Sequence, residues 1–109
     1  MKLLIVGSRT IENFDLTLHV PKEVSTVISG GAKGIDSIAE RFADMKGLSK
    51  YIIRPLYQIY GKAAPLKRNE EMVELADAIL IIWDGKSKGA SYTLEYAKAK
   101  GKPYTLITV

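Results

Sequence analysis

Three stretches of the chain place small, polar and basic residues directly after an apolar run. They are Gly7-Ser8-Arg9, Ser29-Gly30-Gly31-Ala32-Lys33-Gly34-Ile35-Asp36 and Trp83-Asp84-Gly85-Lys86-Ser87-Lys88-Gly89. Adjacent glycines such as Gly30 and Gly31 let backbone N–H groups approach an anion with no Cβ in the way, and a helix opening after Gly34 turns its N-terminus towards it. The planar fork of Arg9 suits bidentate contact with phosphate. Gly7 and Ser8 add a donor-rich turn, and Lys33 adds a second cation. These residue types together imply a pocket for a phosphorylated ligand.

The remaining candidates surround that core. Asp84 can accept hydrogen bonds from ribose hydroxyls beside Gly85, Gly89 permits close backbone approach, and Ser87 or Ser91 can cap a following helix. Trp83 can stack on a base or pack at the end of a core strand. Arg68 and Asn69 fall in the first turns of a helix and can face the same pocket, although Arg68 can instead pair with Glu70 or Glu71. Tyr60-Gly61-Lys62 precedes that helix in a loop that can act as a lid. The glycine loop is no Walker A motif, because no Gly-Lys-Ser/Thr follows it, and it half matches the dinucleotide fingerprint. The third apolar run ends in Arg54-Pro55 where that fingerprint has an acidic ribose ligand. Ser8 has no His/Asp support for nucleophilic chemistry. His19 has no partner at catalytic spacing.

Ligands of open α/β sheets bind beyond the carboxyl ends of the strands, so these motifs demand a particular scaffold. Lys2–Val6, Val24–Ile28, Tyr51–Arg54, Ala78–Trp83 and Tyr104–Thr108 are short apolar runs rich in β-branched and aromatic residues. They read as strands buried on both faces, the mark of a parallel sheet. Apolar residues at helical spacing predict helices over Ile35–Lys46, Leu66–Leu75 and Tyr92–Lys100. Pro65 fits a first helical turn, and Gly47 and Gly101 fit helix ends. Asp15–Val20 is expected to add a weak helical turn. The fold class that follows is α/β: a Rossmann-like, doubly wound three-layer domain spanning 1–109, with a five-stranded parallel sheet of expected order 3-2-1-4-5. That order sets strands 1 and 4 side by side at the switch point and brings the three motifs together.

Composition narrows the setting. The chain of 109 residues is 47% hydrophobic and 26% charged, which suits one globular domain. It has no cysteine and one histidine, so neither a disulfide nor a structural zinc site is expected, and no metal or cofactor is assigned. The formal charge of +4 favours an anionic partner, a nucleotide or nucleic acid, although the lysines are scattered rather than blocked. No targeting segment or membrane span is legible, and a cytoplasmic setting without membrane contact is expected.

In this order, Gly7-Ser8-Arg9, the run from Ser29 through Ile35-Asp36-Ser37-Ile38-Ala39-Glu40, Lys67-Arg68-Asn69 and Trp83-Asp84-Gly85-x-Ser87-x-Gly89 resemble the SLOG superfamily. That group contains the DNA-processing protein A family, the Lonely Guy phosphoribohydrolases and small stand-alone YpsA-related proteins, and the last branch is the most similar. The resemblance spans nearly the whole chain. It implies a metal-free site for a nucleotide or nucleotide derivative, and a homodimer. The Lonely Guy enzymes cleave the N-glycosidic bond of nucleoside monophosphates and carry Pro-Gly-Gly-x-Gly-Thr-x-x-Glu. The corresponding stretch here, Gly85 to Thr93, has Ala90 in place of the threonine and Thr93 in place of the glutamate, while Glu95 falls two residues late.

The leading expectation is therefore a nucleotide-binding domain of a kind that can serve as a sensor, with phosphate on Arg9, Gly30, Gly31, Lys33 and Gly34 and ribose on Asp84, Gly85 and Ser87. An N-glycosidase acting on nucleoside phosphates is a second expectation, and single-stranded DNA binding a third. Gly31→Val is expected to block the loop while leaving the fold largely intact.

Overall fold

The computed structural model describes residues 1–109. Five parallel strands form one sheet in the order β3-β2-β1-β4-β5: β1 Lys2–Gly7, β2 Thr26–Ser29, β3 Ser49–Ile52, β4 Ala78–Trp83 and β5 Tyr104–Thr108. The helices are α1 Ile35–Lys46, α2 Tyr57–Tyr60, α3 Ala64–Leu75 and α4 Lys88–Ala99, with a 3-10 turn over Gly61–Ala63. The expected architecture and strand order are those observed. At the centre, Leu3 to Gly7 of β1 align with Ala78 to Ile82 of β4.

Alternation along the central strands builds two apolar layers. Leu3 and Ile5 of β1, Val27 of β2, and Leu80 and Ile82 of β4 face one layer, which α1 closes with Ile35, Ile38, Ala39 and Ala43. Leu4, Val6, Ile28, Ile79 and Ile81 face the other, closed by Met72 and Val73 of α3 and by Ala90, Leu94 and Ala97 of α4. Burial on both faces explains why β1 and β4 read as unbroken apolar runs. No helix is long and apolar enough to cross a membrane.

The edges depart from expectation. All four residues of β3 are exposed, and β5 is exposed except at Ile107, so neither strand is buried on both faces. Each lies at a sheet edge, beyond the centre of the covering helices. β3 also starts two residues earlier than its apolar run suggests. Gly47 caps α1 in the left-handed region at φ 69°, the chain turns at once, and Ser49 pairs with Thr26. Arg54 therefore lies beyond the strand. β2 begins at Thr26, while Val24 stays in the core as part of a turn onto Pro21.

Residues 15–20 form no helix. Asp15 Oδ1 accepts from the Thr17 N–H at 2.9 Å, turns follow, and buried Leu16 pins the segment to the first apolar layer. Where a lid loop was expected, Tyr60, Gly61 and Lys62 continue from α2 into the 3-10 turn that leads to α3. α4 opens at Lys88, four residues ahead of the predicted start, because Ser87 caps it: its Oγ accepts from the Ala90 N–H at 3.4 Å.

Candidate functional site

Because β1 and β4 are neighbours whose chains leave to opposite faces, their carboxyl ends diverge and leave a crevice. A cleft of about 530 Å³ lies there, lined by residues from the ends of β1 and β4 and from the N-terminal turns of α1, α3 and α4. Each of these helices has twelve residues, and its N-terminus carries about half a positive charge. The N–H groups of Lys33, Gly34, Asp36 and Ser37 at α1, and of Lys88 and Gly89 at α4, have no acceptor within the chain. Arg9 and Lys86 line the cleft, are exposed, and form no ion pair or side-chain hydrogen bond.

A buried polar group sits at the bottom. Arg68, 8% exposed, donates Nη1 to the Gly30 carbonyl at 2.7 Å and, more weakly, to the Ile53 carbonyl at 3.4 Å; its Nε donates to Asn69 Oδ1 at 2.7 Å. It pairs with neither Glu70 nor Glu71: Glu70 is taken by the Tyr92 hydroxyl and Lys67. The Glu70 hydrogen bond raises the Tyr92 phenol above its ordinary pKa. Asp36 accepts the Ala32 N–H on Oδ2 at 3.1 Å. Burial pushes the Asp36 carboxyl above the usual carboxylate range, with the Ala32 N–H and the Arg68 charge pulling the other way. Burial likewise lowers the Arg68 guanidinium from its ordinary value, opposed by the charge of Asp36.

At the rim, Asp84 is a fully engaged organiser. Its Oδ1 accepts the N–H groups of Lys86 at 2.8 Å and Ser87 at 2.9 Å, and its Oδ2 accepts the Thr10 hydroxyl at 2.7 Å. The Lys86 N–H first, then the Thr10 hydroxyl and the Ser87 N–H, hold this carboxyl well below the usual carboxylate range. The fully buried Ser8 ties the two strand ends together: its Oγ accepts the Asp84 N–H at 2.9 Å and its N–H reaches the Ile82 carbonyl.

Of the residues singled out in the sequence, Gly7, Arg9, Ala32, Asp36, Arg68, Asn69, Asp84, Ser87 and Gly89 line the cleft. Ser8, Ser29, Gly30, Gly31, Lys33, Gly34, Trp83 and Gly85 do not, and the structure gives several of them other work. Ser29 is buried; its hydroxyl donates to Glu40 at 2.8 Å and accepts the Gly31 N–H at 3.2 Å, shaping the glycine loop from beneath. Gly34, at φ +78°, lets α1 abut the first turn: a Cβ there would sit 2.5 Å from the Ser8 carbonyl oxygen. A Cβ on Gly31, at φ +74°, would meet Arg54 Nη1 at 2.7 Å and Ile52 Cγ2 at 3.0 Å. Gly31→Val would thus strain the loop itself and is no clean block. Trp83 packs on the second apolar layer and donates Nε1 to the Ser87 carbonyl at 2.9 Å, bracing the α4 cap.

Thr10, Lys86, Val6, Pro65, Leu66, Met72, Ala90 and Thr93 complete the lining and were not among the expected ligand contacts. Lys86 lies within the third motif and Thr10 directly follows the first, so both were legible there. Met72 and Ala90 carry no such signal, since their periodicity is that of any core face. Thr93 is buried and donates Oγ1 to the Gly89 carbonyl at 2.9 Å, while Glu95 is exposed and lies outside the cleft.

No family model matches the chain. No solved structure matches it. The chain is similar to the Gene 61 protein of Mycobacterium phage D29, with 30% identity over 115 aligned residues that cover 94% of this chain and 92% of the phage protein. At that identity and coverage, the chain belongs to the family of the phage Gene 61 protein.

Proposed function

We propose that the chain binds a nucleotide or nucleotide-derived metabolite through its phosphate and sugar, as a small YpsA-related member of the SLOG superfamily. One observation carries this reading: N-termini of α1, α3 and α4 converge on a single cleft whose rim holds two cations, Arg9 and Lys86, with no partner in the chain. Unpaired N–H groups, helix dipoles and free cations all favour negative charge at one place. The apolar part of the lining, Val6, Leu66, Met72 and Ala90, offers a surface for a flat base or an aliphatic group.

Titration calorimetry with AMP, ADP-ribose, NAD and a short single-stranded DNA, at low and high salt, tests the reading. Saturable binding of one nucleotide with weak salt dependence supports it. Binding of DNA alone, falling steeply with salt, replaces it with a strand-binding role.

Cleavage of an N-glycosidic bond is a second reading. It is favoured by Asp36, a buried carboxyl in the cleft whose pKa is pushed up by burial, the setting of a group that can hold a proton for a leaving base. Release of free base from bound nucleotide, followed by chromatography, tests it. A cytoplasmic homodimer completes the proposal. Its support is the exposed edge strand β3 with Leu56, Tyr57, Ile59 and Tyr60 exposed nearby in the chain, and sedimentation equilibrium tests it.

A further inference from the structure

Beside Arg68, whose Nη2 has no partner, two more side chains at the base of the cleft are almost wholly buried yet only half satisfied. Asp36 and Asn69 are each 7% exposed, and both line the cleft. Asp36 uses Oδ2 for the Ala32 N–H and has no partner on Oδ1. Asn69 uses Oδ1 for Arg68 Nε. Arginine only donates, so the amide oxygen must face it, and Asn69 Nδ2 is thereby turned away from Arg68 with no acceptor in the chain. No side-chain nitrogen or oxygen of the protein is both fully enclosed and unpaired. The two free atoms therefore remain accessible, and the cleft is the space both residues share.

Polar atoms buried to this degree are normally satisfied, because an unpaired one costs desolvation with nothing returned. Here one is an acceptor and the other a donor. A phosphate suits the donor but is repelled by the carboxylate. Adjacent hydroxyl groups suit both, since one hydroxyl donates to Asp36 while its neighbour accepts from Asn69. Asp84 is poorly placed for this task, with three hydrogen bonds already on its carboxylate. A neighbouring feature leaves room for the ligand. Gly89 lies in the first turn of α4 with no positive φ, and a Cβ there would meet only Asn69 Nδ2, at 3.9 Å. The fold itself gives no reason for glycine at this position.

We infer that Asp36 and Asn69 form a vicinal-diol subsite, so that the cleft selects ribose phosphates over their deoxy counterparts. This rests on the nucleotide reading above: helix N-termini and rim cations hold the phosphate, and the buried pair reads the sugar.

The test is calorimetry on the full chain with four probes: AMP, 2′-deoxy-AMP, ribose 5-phosphate and 2-deoxyribose 5-phosphate. The expected result is binding at least about tenfold tighter for each ribose compound than for its deoxy partner, the scale of one lost hydrogen bond to a buried polar group. The same ratio should appear with and without the base. Asp36→Asn, nearly the same shape, and Asn69→Leu should each bring the ratio close to one while 2-deoxyribose 5-phosphate still binds, and their melting curves report whether each variant is folded. Equal affinity for AMP and 2′-deoxy-AMP would overturn the diol subsite and leave phosphate binding standing. A ratio that appears only with the base present would also overturn it, assigning the pair to the base. Failure of all four probes would overturn the nucleotide reading and the subsite together.

Discussion

Arg68 Nη1 donates to the Gly30 carbonyl oxygen at 2.7 Å across 38 residues of sequence. A single guanidinium thus fastens the glycine loop after β2 to the first turns of α3, and through Nε it also sets the orientation of Asn69. Gly30 is glycine for the same reason: a Cβ would fall 2.7 Å from Arg68 Nη1 and 3.0 Å from Asp36 Oδ2. The loop is shaped by side chains beneath it before any ligand arrives.

Removing that fastening should cost stability as well as binding. Arg68→Met leaves the Gly30 carbonyl and Asn69 Oδ1 without their strong donor, and hydrogen bonds to charged groups contribute roughly 1.5–3 kcal/mol each. Methionine also removes the desolvation cost of a buried charge, which offsets part of this, so the expected net loss is about 2–4 kcal/mol in urea unfolding, with Gly30→Ala destabilising in the same direction. An unchanged midpoint in both variants would mean the loop holds itself.

The glycines divide by their work. Gly34→Ala places a Cβ against backbone on two sides, 2.5 Å from the Ser8 oxygen and 2.6 Å from Arg9 Cα, at positive φ. A loss of about 3 kcal/mol or more is expected, since backbone cannot yield as a flexible side chain can. Gly89→Ala should do the reverse, stabilising by up to about 1 kcal/mol through helix propensity. Its methyl would project beside Asn69 and weaken ligand binding. Paired thermal melts and titrations of the two variants check both signs.

The two cleft carboxylates should pull stability in opposite directions with pH. Burial raises the Asp36 pKa above its ordinary value of 3.8, so its ionisation opposes folding: the penalty is absent below that value and complete above the folded one. Asp36→Asn should therefore raise the melting temperature at pH 7 and lose that advantage near pH 3. The Asp84 pKa is lowered, so its contribution is present above 3.8 and is lost as pH falls through the folded value. Asp84→Asn should lower the melting temperature at pH 7 and converge with the parent protein in acid. Melting curves from pH 2 to 8 that move both variants the same way would contradict this assignment.

Much of this site was readable because the motifs end strands whose order follows from the alternation of strand and helix. The apolar runs of β1 and β4, flanking the switch point, implied which turns would meet. What could not be read was the division of labour inside a motif. Asp84 carries the residue type of a ribose ligand, yet its Oδ1 is taken by the turn that presents Lys86 and Ser87 and its Oδ2 by the Thr10 hydroxyl. Gly34 looks like a phosphate-loop glycine, yet its contact is with Ser8 and Arg9. The burial of Arg68 depends on β3 ending early enough for Ile53 and Gly30 to offer carbonyls together, a consequence of pairing register. The edge strands misled for a related reason: composition reports what a strand can bury, and position in the sheet decides what is covered.

The most direct test uses the two rim residues that the fold does not employ. Arg9 and Lys86 are exposed and unpaired, so Arg9→Ala and Lys86→Ala should leave thermal stability within about 0.5 kcal/mol of the parent. Titration of the parent and both variants with AMP and ADP-ribose then isolates the cleft. The expected result is saturable binding by the parent and at least about tenfold weaker binding by each variant, the loss of one charge-assisted phosphate contact. Parent affinity retained in both variants, at unchanged stability, would place the ligand elsewhere and contradict an anion site at this edge of the sheet.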